Sequence, residues 1–287
     1  MVEVHETIRS FRDALVPAGG EVGFVPTMGY LHAGHRSLME AARGDGRNRL
    51  VAASIFVNPL QFGPTEDLAA YPRDLERDLA VCEAAGVDHV LHPSVQEMYP
   101  AGTPTLTTVS VGSISEPMEG RSRPTHFAGV ATVVAKLFAI VGGGRAYFGE
   151  KDWQQLAVVT RMAADLSFPV EVVGCPVVRE PDGLALSSRN VYLTADERAA
   201  APALHRAVLA GAAAVEAGAR DPVAVRAAMA AVLAPVTEAE VDYLEVVDAR
   251  TLQPVDPLAG ELRLLAAARF GRARLLDNTG VTVQAPT

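Results

Sequence analysis

Apolar and polar positions change rhythm along this chain in a way that lays out its elements. Val22 to Val25 is a short apolar run and Leu38 to Ala42 an amphipathic one, with Pro26-Thr27-Met28-Gly29-Tyr30-Leu31-His32-Ala33-Gly34-His35 between them. That order predicts a strand, a sharp turn and a helix, which Gly44-Asp45-Gly46 closes. Leu50 to Val57 is apolar along nearly its whole length, the pattern of a strand covered on both faces of a parallel sheet. Pro72 opens the next predicted helix, with Leu75, Leu79 and Cys82 inward, and Gly86 stops it before a strand over Val87 to Leu91. Residues 93 to about 127 are rich in Pro, Thr, Ser and Gly, with one predicted extended piece at Thr105 to Val111. Excursions of that length in α/β proteins are often functional. A helix over Val130 to Val141, a short strand over Ala146 to Phe148, a helix reaching Leu166 and a strand over Val170 to Val173 complete the alternation.

Strands alternating with helices in this way imply an α/β, doubly wound parallel sheet with right-handed crossovers. Ligands of such sheets bind beyond the carboxyl ends of the strands. The loops at 26–35, 58–63 and 149–155 each follow a predicted strand, so they are expected to converge on one mouth although distant in sequence. Near Val178 the rhythm changes. Asp182-Gly183 signals a turn, Thr194 and Glu197 a capping box before an Ala-rich helix, and Asp221-Pro222 a helix that stops before Pro235. Val241 to Val247, Leu262 to Ala267 and Arg272 to Leu276 read as strands of a small sheet. The expected division is therefore 1–177 and 178–287.

Composition narrows the function classes. The 287 residues are 49% hydrophobic and 21% charged, ordinary for a globular protein. A formal net charge of −9 argues against general nucleic-acid or anionic-membrane binding, while a local cluster of Arg, Lys and His could still hold ATP. Cys82 and Cys175 are too few for a disulfide framework and have no CxxC spacing. Met1 to Leu15 lacks the basic-then-apolar pattern of a signal peptide. The longest apolar candidate, Gly129 to Val141, is broken by Lys136 and falls short of the roughly 20 residues that span a bilayer. The expectation is a soluble cytoplasmic protein.

The chemistry concentrates in the first loop. A helix N-terminus leaves backbone N–H groups unpaired and carries partial positive charge, which suits a phosphate. Gly29 and Gly34 remove Cβ atoms that would keep a phosphate from the backbone, and histidine adds a donor without permanent charge. The motif points to a nucleoside-triphosphate site of the His-x-Gly-His kind, distinct from a GxxxxGK[ST] loop, which the chain lacks. Two other readings stand beside it: His32 and His35 as metal ligands, with no third ligand at convincing spacing, or as ordinary surface histidines.

Further segments complete a pattern: Phe56-Val57-Asn58-Pro59-Leu60-Gln61-Phe62, Arg123-Pro124-Thr125-His126-Phe127-Ala128-Gly129-Val130, Phe148-Gly149-Glu150-Lys151-Asp152 and Leu186-Ser187-Ser188-Arg189-Asn190. With the first loop, and in this order, they resemble the pantothenate synthetase (pantoate–β-alanine ligase) family over nearly the whole chain. The resemblance implies a Rossmann-like N-terminal domain, a smaller α+β C-terminal lid domain, a homodimer, and magnesium-ATP with pantoate and β-alanine as substrates. It implies a reaction in two steps. The pantoate carboxylate attacks the α-phosphate of ATP, giving pantoyl-adenylate and pyrophosphate, and the amine of β-alanine then displaces AMP.

Transferred residue by residue, the resemblance makes His32, His35, Lys151 and Arg189 catalytic. It places ATP against Met28, Gly29, Tyr30, Leu31, His32, Ala33, Gly34 and His35, against Gly149, Glu150, Lys151 and Asp152, and against Val178, Leu186, Ser187, Ser188 and Arg189. Gln61 and Gln155 match its pantoate-binding glutamines, with Gln61 near β-alanine as well. The chemistry agrees, because a carboxylate that must remain nucleophilic is better held by neutral amides than by an arginine pair. Asn58, Arg123 and His126 are added as substrate-side candidates, and no metal ligand is assigned. Gln155, four residues after Lys151, is expected to share a helix face with it. Leu186 stands where the family often has Met, a nearly volume-conserving change. A nucleotidylyltransferase and a nucleotide-binding regulatory protein are the alternative functions; the second would be expected to have lost His35, Lys151 or Arg189, and all three are present.

Overall fold

The computed structural model describes residues 2–63, 68–69 and 71–284. Its elements run β1 (Glu3–His5), α1 (Ile8–Leu15), β2 (Val22–Thr27), α2 (Ala33–Gly44), β3 (Leu50–Ile55), α3 (Leu75–Ala84), β4 (His89–Leu91), α4 (Val95–Met98), α5 (Glu119–Ser122), α6 (His126–Val141), β5 (Gly144–Gly149), α7 (Trp153–Asp165) and β6 (Val170–Cys175). There follow α8 (Ala195–Ala200), α9 (Ala203–Glu216), α10 (Pro222–Leu233), β7 (Ala239–Asp248), β8 (Gly260–Phe270) and β9 (Ala273–Val283). The chain separates into two compact units. One runs to Glu150 and resumes over Gln154–Pro176; the other is Lys151–Trp153 with the chain from Val177 onward.

In the first unit six parallel strands lie in the order β1-β4-β3-β2-β5-β6. The chain winds outward from β2 through β3 to β4, then returns to lay β5 on the other flank of β2. Phe24 is thus paired with Ala52 on one side and Ala146 on the other. This reversal is the topological switch point of a doubly wound sheet, and the loops after β2, β3 and β5 leave from neighbouring strands at the same edge. Val25, Val51, Ala53 and Val90 pack with Leu31, Met39 and Cys82 into a continuous core. Helix α6 is apolar around nearly its whole circumference and buries twelve residues, as such a helix must.

Several expectations shift. Helix α3 begins at Leu75, capped by Asp74, and not at Pro72. The Asp74 carboxylate meets the Arg77 N–H at 3.1 Å, while a prolyl nitrogen has no side chain to do so. Leu75 is exposed, and the inward position on that turn belongs to Asp78. Thr105 to Val111 forms no strand; Val109 instead gives its N–H to Thr132 of α6. The strand expected over Leu50 to Val57 stops at Ile55, although Phe56 still donates to the Thr27 carbonyl. Strand β1 and helix α1 were not anticipated: three residues carry too little alternation to read, and α1 buries only Phe11 and Leu15.

In the second unit β7, β8 and β9 form an antiparallel sheet, with Ala239 opposite Phe270 and Phe270 opposite Ala273. Helices α9 and α10 lay Ala207, Val208 and Met229 against Leu264, Ala266 and Phe270. The capping box at Thr194 and Glu197 is present, closed at both ends, and Asp221 caps α10 ahead of Pro222.

Candidate active site

The first loop is built as a capped turn. Gly29 has φ +85° and Tyr30 φ +52°, so the chain reverses through two left-handed residues. Gly29 is demanded twice over, since a Cβ there would also stand 2.8 Å from Asp78 Oδ2. The buried Asp78 carboxylate receives the N–H groups of Tyr30 and Leu31, each at 2.7 Å, and Leu31 is fully buried beneath them. Arg77 stacks over the Tyr30 ring, 5.0 Å from its centroid. Asp78 is the residue that sequence reasoning missed. The signal was there: it lies three residues after Leu75 and four before Cys82, a carboxylate on the stripe that should be apolar.

Where Asp78 stops, the histidines take over. His32 is the N-cap of α2, and its Nδ1 accepts the Gly34 N–H at 3.1 Å. His35 occupies the third helical position and its Nδ1 accepts the His32 N–H at 3.3 Å, closing a capping box made of two imidazoles. The rings lie 4.1 Å apart. Both Nδ1 atoms act as acceptors, so the protons of the neutral rings sit on Nε2. This revises the expectation of unpaired helix donors. The Gly34 N–H is used by His32, and those of His35 and Arg36 turn to the His32 carbonyl. With both Nδ1 atoms in the cap, Nε2–H is the donor that each neutral ring carries.

The loop after β3 holds Gln61. Asn58, buried, donates to Gln61 Oε1 at 3.1 Å and to the Gly129 carbonyl at 3.1 Å, and accepts from the Tyr99 hydroxyl at 2.8 Å. Its polar atoms are therefore used in placing Gln61. His126 Nδ1 lies 3.1 Å and Arg123 3.4 Å from the Gln61 carbonyl, so both steady this loop from the start of α6. Gln61 Nε2 rests 2.9 Å from the Met28 sulfur. The loop can sit this close to α6 because Gly129 has no Cβ; one there would come within 2.3 Å of the Leu60 carbonyl. Gln155 on α7 is half-buried, and its side-chain amide makes no hydrogen bond among the described residues. Its neighbour Gln154 is buried and ties α7 to the 114–119 segment through Ile114, Pro117 and Glu119. A cavity of about 290 Å³ opens beyond β2, β3 and β4, lined by Met28, Gly29, Phe56, Asp74, Asp78 and His92 among others. Of the residues expected from sequence to touch ATP or substrate, only Met28 and Gly29 are among its lining residues. Burial holds the His92 imidazole below its ordinary value, against the pull of Glu6 and Asp78.

Lys151 and Gln155 do not share an α-helical face as expected. Lys151 sits in a 3-10 turn, Glu150–Asp152, and α7 starts only at Trp153. Lys151–Trp153 belong to the second unit, where Trp153 donates to the Ala249 carbonyl at 2.9 Å, Arg263 stacks 3.6 Å from its ring, and Asn278 donates to the Lys151 carbonyl at 2.8 Å. The Lys151 ammonium lies 3.6 Å from Asp152. In the same unit Val178 to Leu186 folds back on itself, Leu186 donating to the Val178 carbonyl and Glu180 to that of Leu184. Ser187 then caps a short turn by accepting the Arg189 N–H at 3.3 Å. Arg189 is exposed, and its guanidinium has no partner among the described residues. The fold-back is anchored by Arg179, which donates to the Gly183 carbonyl and, twice, at 2.6 and 2.8 Å, to buried Asp277.

Comparison with known proteins agrees with this fold. The family model for pantoate-beta-alanine ligase matches residues 1–280. The chain is 50% identical to a pantothenate synthetase of Moorella thermoacetica over 98% of its own length and 99% of the relative's. It is 54% identical to one from Chloroflexus aurantiacus, covering 96% and 97%. A crystal structure of pantothenate synthetase from Thermus thermophilus superposes with a TM-score of 0.92 at 52% identity, covering 98% of this chain and 100% of that one. The ligase of Francisella tularensis, crystallised with beta-gamma ATP and β-alanine, gives 0.78 at 31%, covering 97% of each. With the doubly wound sheet, the histidine turn and the glutamine loop all present, the chain belongs to the pantoate–β-alanine ligase family of enzymes.

Proposed function

We propose that the chain condenses pantoate with β-alanine at the expense of ATP, through a pantoyl-adenylate. The observation that carries the reading is the pair of imidazoles whose Nδ1 atoms are consumed in the helix cap, which makes both Nε2 atoms proton-bearing. In the first step a pantoate carboxylate oxygen bonds to the α-phosphorus and the bond to pyrophosphate breaks. Negative charge grows on the phosphates, and preorganised donors that need no reorientation stabilise it. His35 and His32 supply neutral donors to the phosphates, and Lys151 and Arg189 supply charge, with Ser187 and Ser188 adding hydroxyls. Gly149, Glu150, Asp152, the Val178 backbone and Leu186 complete the adenosine site in this proposal. Gln61 and Gln155 hold pantoate by amide donors that leave its carboxylate nucleophilic.

In the second step the β-alanine nitrogen bonds to the acyl carbon and the bond to the AMP oxygen breaks. An amine with the pKa of lysine, roughly 10.4, arrives mostly protonated and must shed that proton before attack. Held against an activated acyl group, it needs chiefly proximity. Magnesium takes oxygen ligands and keeps several waters, bound by one or two carboxylates and the substrate phosphates. Asp152, a half-exposed carboxylate next to Lys151, fits that role, and the ion would neutralise charge on the departing pyrophosphate. The resemblance extends the proposal to a homodimer working in the cytoplasm; among the described residues no helix is long and apolar enough to cross a membrane.

The test is to incubate the protein with magnesium-ATP and pantoate, with and without β-alanine, and to follow AMP and pyrophosphate. AMP formed in step with pantothenate, and only with β-alanine, is the expected result. Pyrophosphate released over many turnovers without AMP would instead favour a nucleotidylyltransferase.

A further inference from the structure

We propose that Glu3, His5 and His89 form a binding site for a divalent transition metal, Zn²⁺ in the first instance, that staples the N-terminal strand to the edge of the parallel sheet. Strand β1 pairs in parallel with β4, setting Glu3 opposite His89. Glu3 and His5, two residues apart on a strand, point to the same face, so three ligating side chains meet. His5 Nε2 lies 3.2 Å from His89 Nδ1, Glu3 Oε1 is 3.8 Å from His5 Nε2, and Glu3 Oε2 is 3.5 Å from His89 Nδ1. Ligands around tetrahedral zinc, with Zn–N of about 2.0–2.1 Å, stand roughly 3.3–3.4 Å apart. The three separations bracket that value, so an ion fits with small side-chain movements. A fourth position remains for water, as in other zinc sites with two histidines and one carboxylate.

Ligand type points the same way. Two imidazoles and one carboxylate suit Zn²⁺ and its neighbours in the transition series, where magnesium and calcium take oxygen donors. The setting is ordered where it should be and open where it must be. His5 is buried and its ring meets Phe11 edge-on at 5.7 Å, whereas the Glu3 side chain is 64% exposed and leaves a path for the ion. A metal has something to do here. Strand β1 has three residues at a sheet edge, tied beyond its own pairing by Glu3 donating to Asp88 and His92 donating to the His5 carbonyl. The competing arrangement is a hydrogen bond in which the two imidazoles share one proton, with Glu3 as counter-charge. Metal binding expels that proton, so the two arrangements give different measurements.

The experiment uses the full chain without a histidine tag, stripped with a chelator and titrated with Zn²⁺ by calorimetry and with Co²⁺ as a coloured substitute. The expected result is one ion per chain, a Co²⁺ absorption of low-coordinate intensity, and slower amide exchange in residues 3–5 and 89–91. His89→Asn should abolish that binding. Glu3→Gln should weaken it by at least about tenfold, the least that loss of even an outer-sphere partner costs. Both positions are more exposed than His5, and circular dichroism is used to check that the variants fold. His35→Asn runs in parallel, because His32 and His35 are a second histidine pair. Absence of stoichiometric binding, binding that His89→Asn retains, or binding that only His35→Asn removes would each overturn the proposal.

Discussion

Removing the Asp78 carboxylate should uncouple the histidine turn from the sheet. Two backbone N–H groups end on this buried side chain, those of Tyr30 and Leu31, and His32 follows directly. Hydrogen bonds to a charged acceptor contribute about 1.5–3 kcal/mol each, and a buried donor left unpaired costs a similar amount. In Asp78→Ala the Leu31 N–H has no access to water, because Leu31 is fully buried, while half-buried Tyr30 can regain part of its loss from solvent. The local cost is then about 2–4 kcal/mol. At 1.36 kcal/mol per decade, this lowers the exchange protection of the Leu31 amide by a factor of about 30 to 1,000. Misplacing donors by about 1 Å costs on the order of 10² in rate, so kcat/KM for pantothenate formation should fall by that order. Asp78→Asn keeps one acceptor and opposes the other N–H with its own NH₂, and should fall between wild type and Asp78→Ala. The assays are hydrogen exchange at Leu31 and steady-state kinetics. Unchanged Leu31 protection together with kcat/KM within about twofold of wild type, in a folded Asp78→Ala protein, would refute the reasoning.

Gly29→Ala meets both a left-handed backbone and the Asp78 carboxylate, and should destabilise by about 1–3 kcal/mol in thermal unfolding while lowering kcat. His35→Asn preserves an acceptor for the His32 N–H but not the Nε2–H, so it should keep most stability and lose about 10²–10³ in kcat. His35→Ala should additionally lose about 1 kcal/mol with the cap; equal kinetics for His35→Asn and wild type would remove His35 from the chemistry. Asp277→Ala leaves Arg179 with an unpaired, largely buried charge and should destabilise the second unit by about 3 kcal/mol, read by thermal unfolding with a probe placed there. His5, His92 and His205 are each held below 6.5, with burial the largest cause. The unfolded chain therefore binds protons first on acidification, so stability is full above about pH 6.5 and is lost as pH falls toward the folded values. The urea midpoint should drop between about pH 7.5 and about pH 5.5, and an unchanged midpoint would contradict the burial of these rings.

Much of this was legible in sequence because its causes are local. Apolar runs ending in turn residues placed β2, β3, β5 and β6, and Thr194 with Glu197 announced their own cap. The histidine turn could be located but not its internal bonding. That His32 and His35 cap the helix with Nδ1 depends on ring orientation, which spacing does not specify. Partners from distant segments were out of reach for the same reason. Nothing in the sequence around Asp78 or Asp277 says that one receives a turn 47 residues earlier and the other an arginine 98 residues earlier. Asn58 was named as a substrate-side candidate, and only its burial and its bonds to Gln61 and Gly129 show that its amide holds the loop. The early break between Lys151 and Gln155 escaped because short 3-10 turns often precede α-helices and three residues are too few to show a change of period.

The central claim, an acyl-adenylate, is tested most directly by following oxygen. Pantoate whose carboxylate carries heavy oxygen is turned over with magnesium-ATP and β-alanine, and the products are followed by mass spectrometry. Attack on the α-phosphorus, followed by amide formation, leaves one labelled oxygen in AMP and the other in the pantothenate amide carbonyl. Label found in pyrophosphate or orthophosphate, or AMP formed without any, would contradict the adenylate and with it the roles of the histidine turn and Arg189 in forming it.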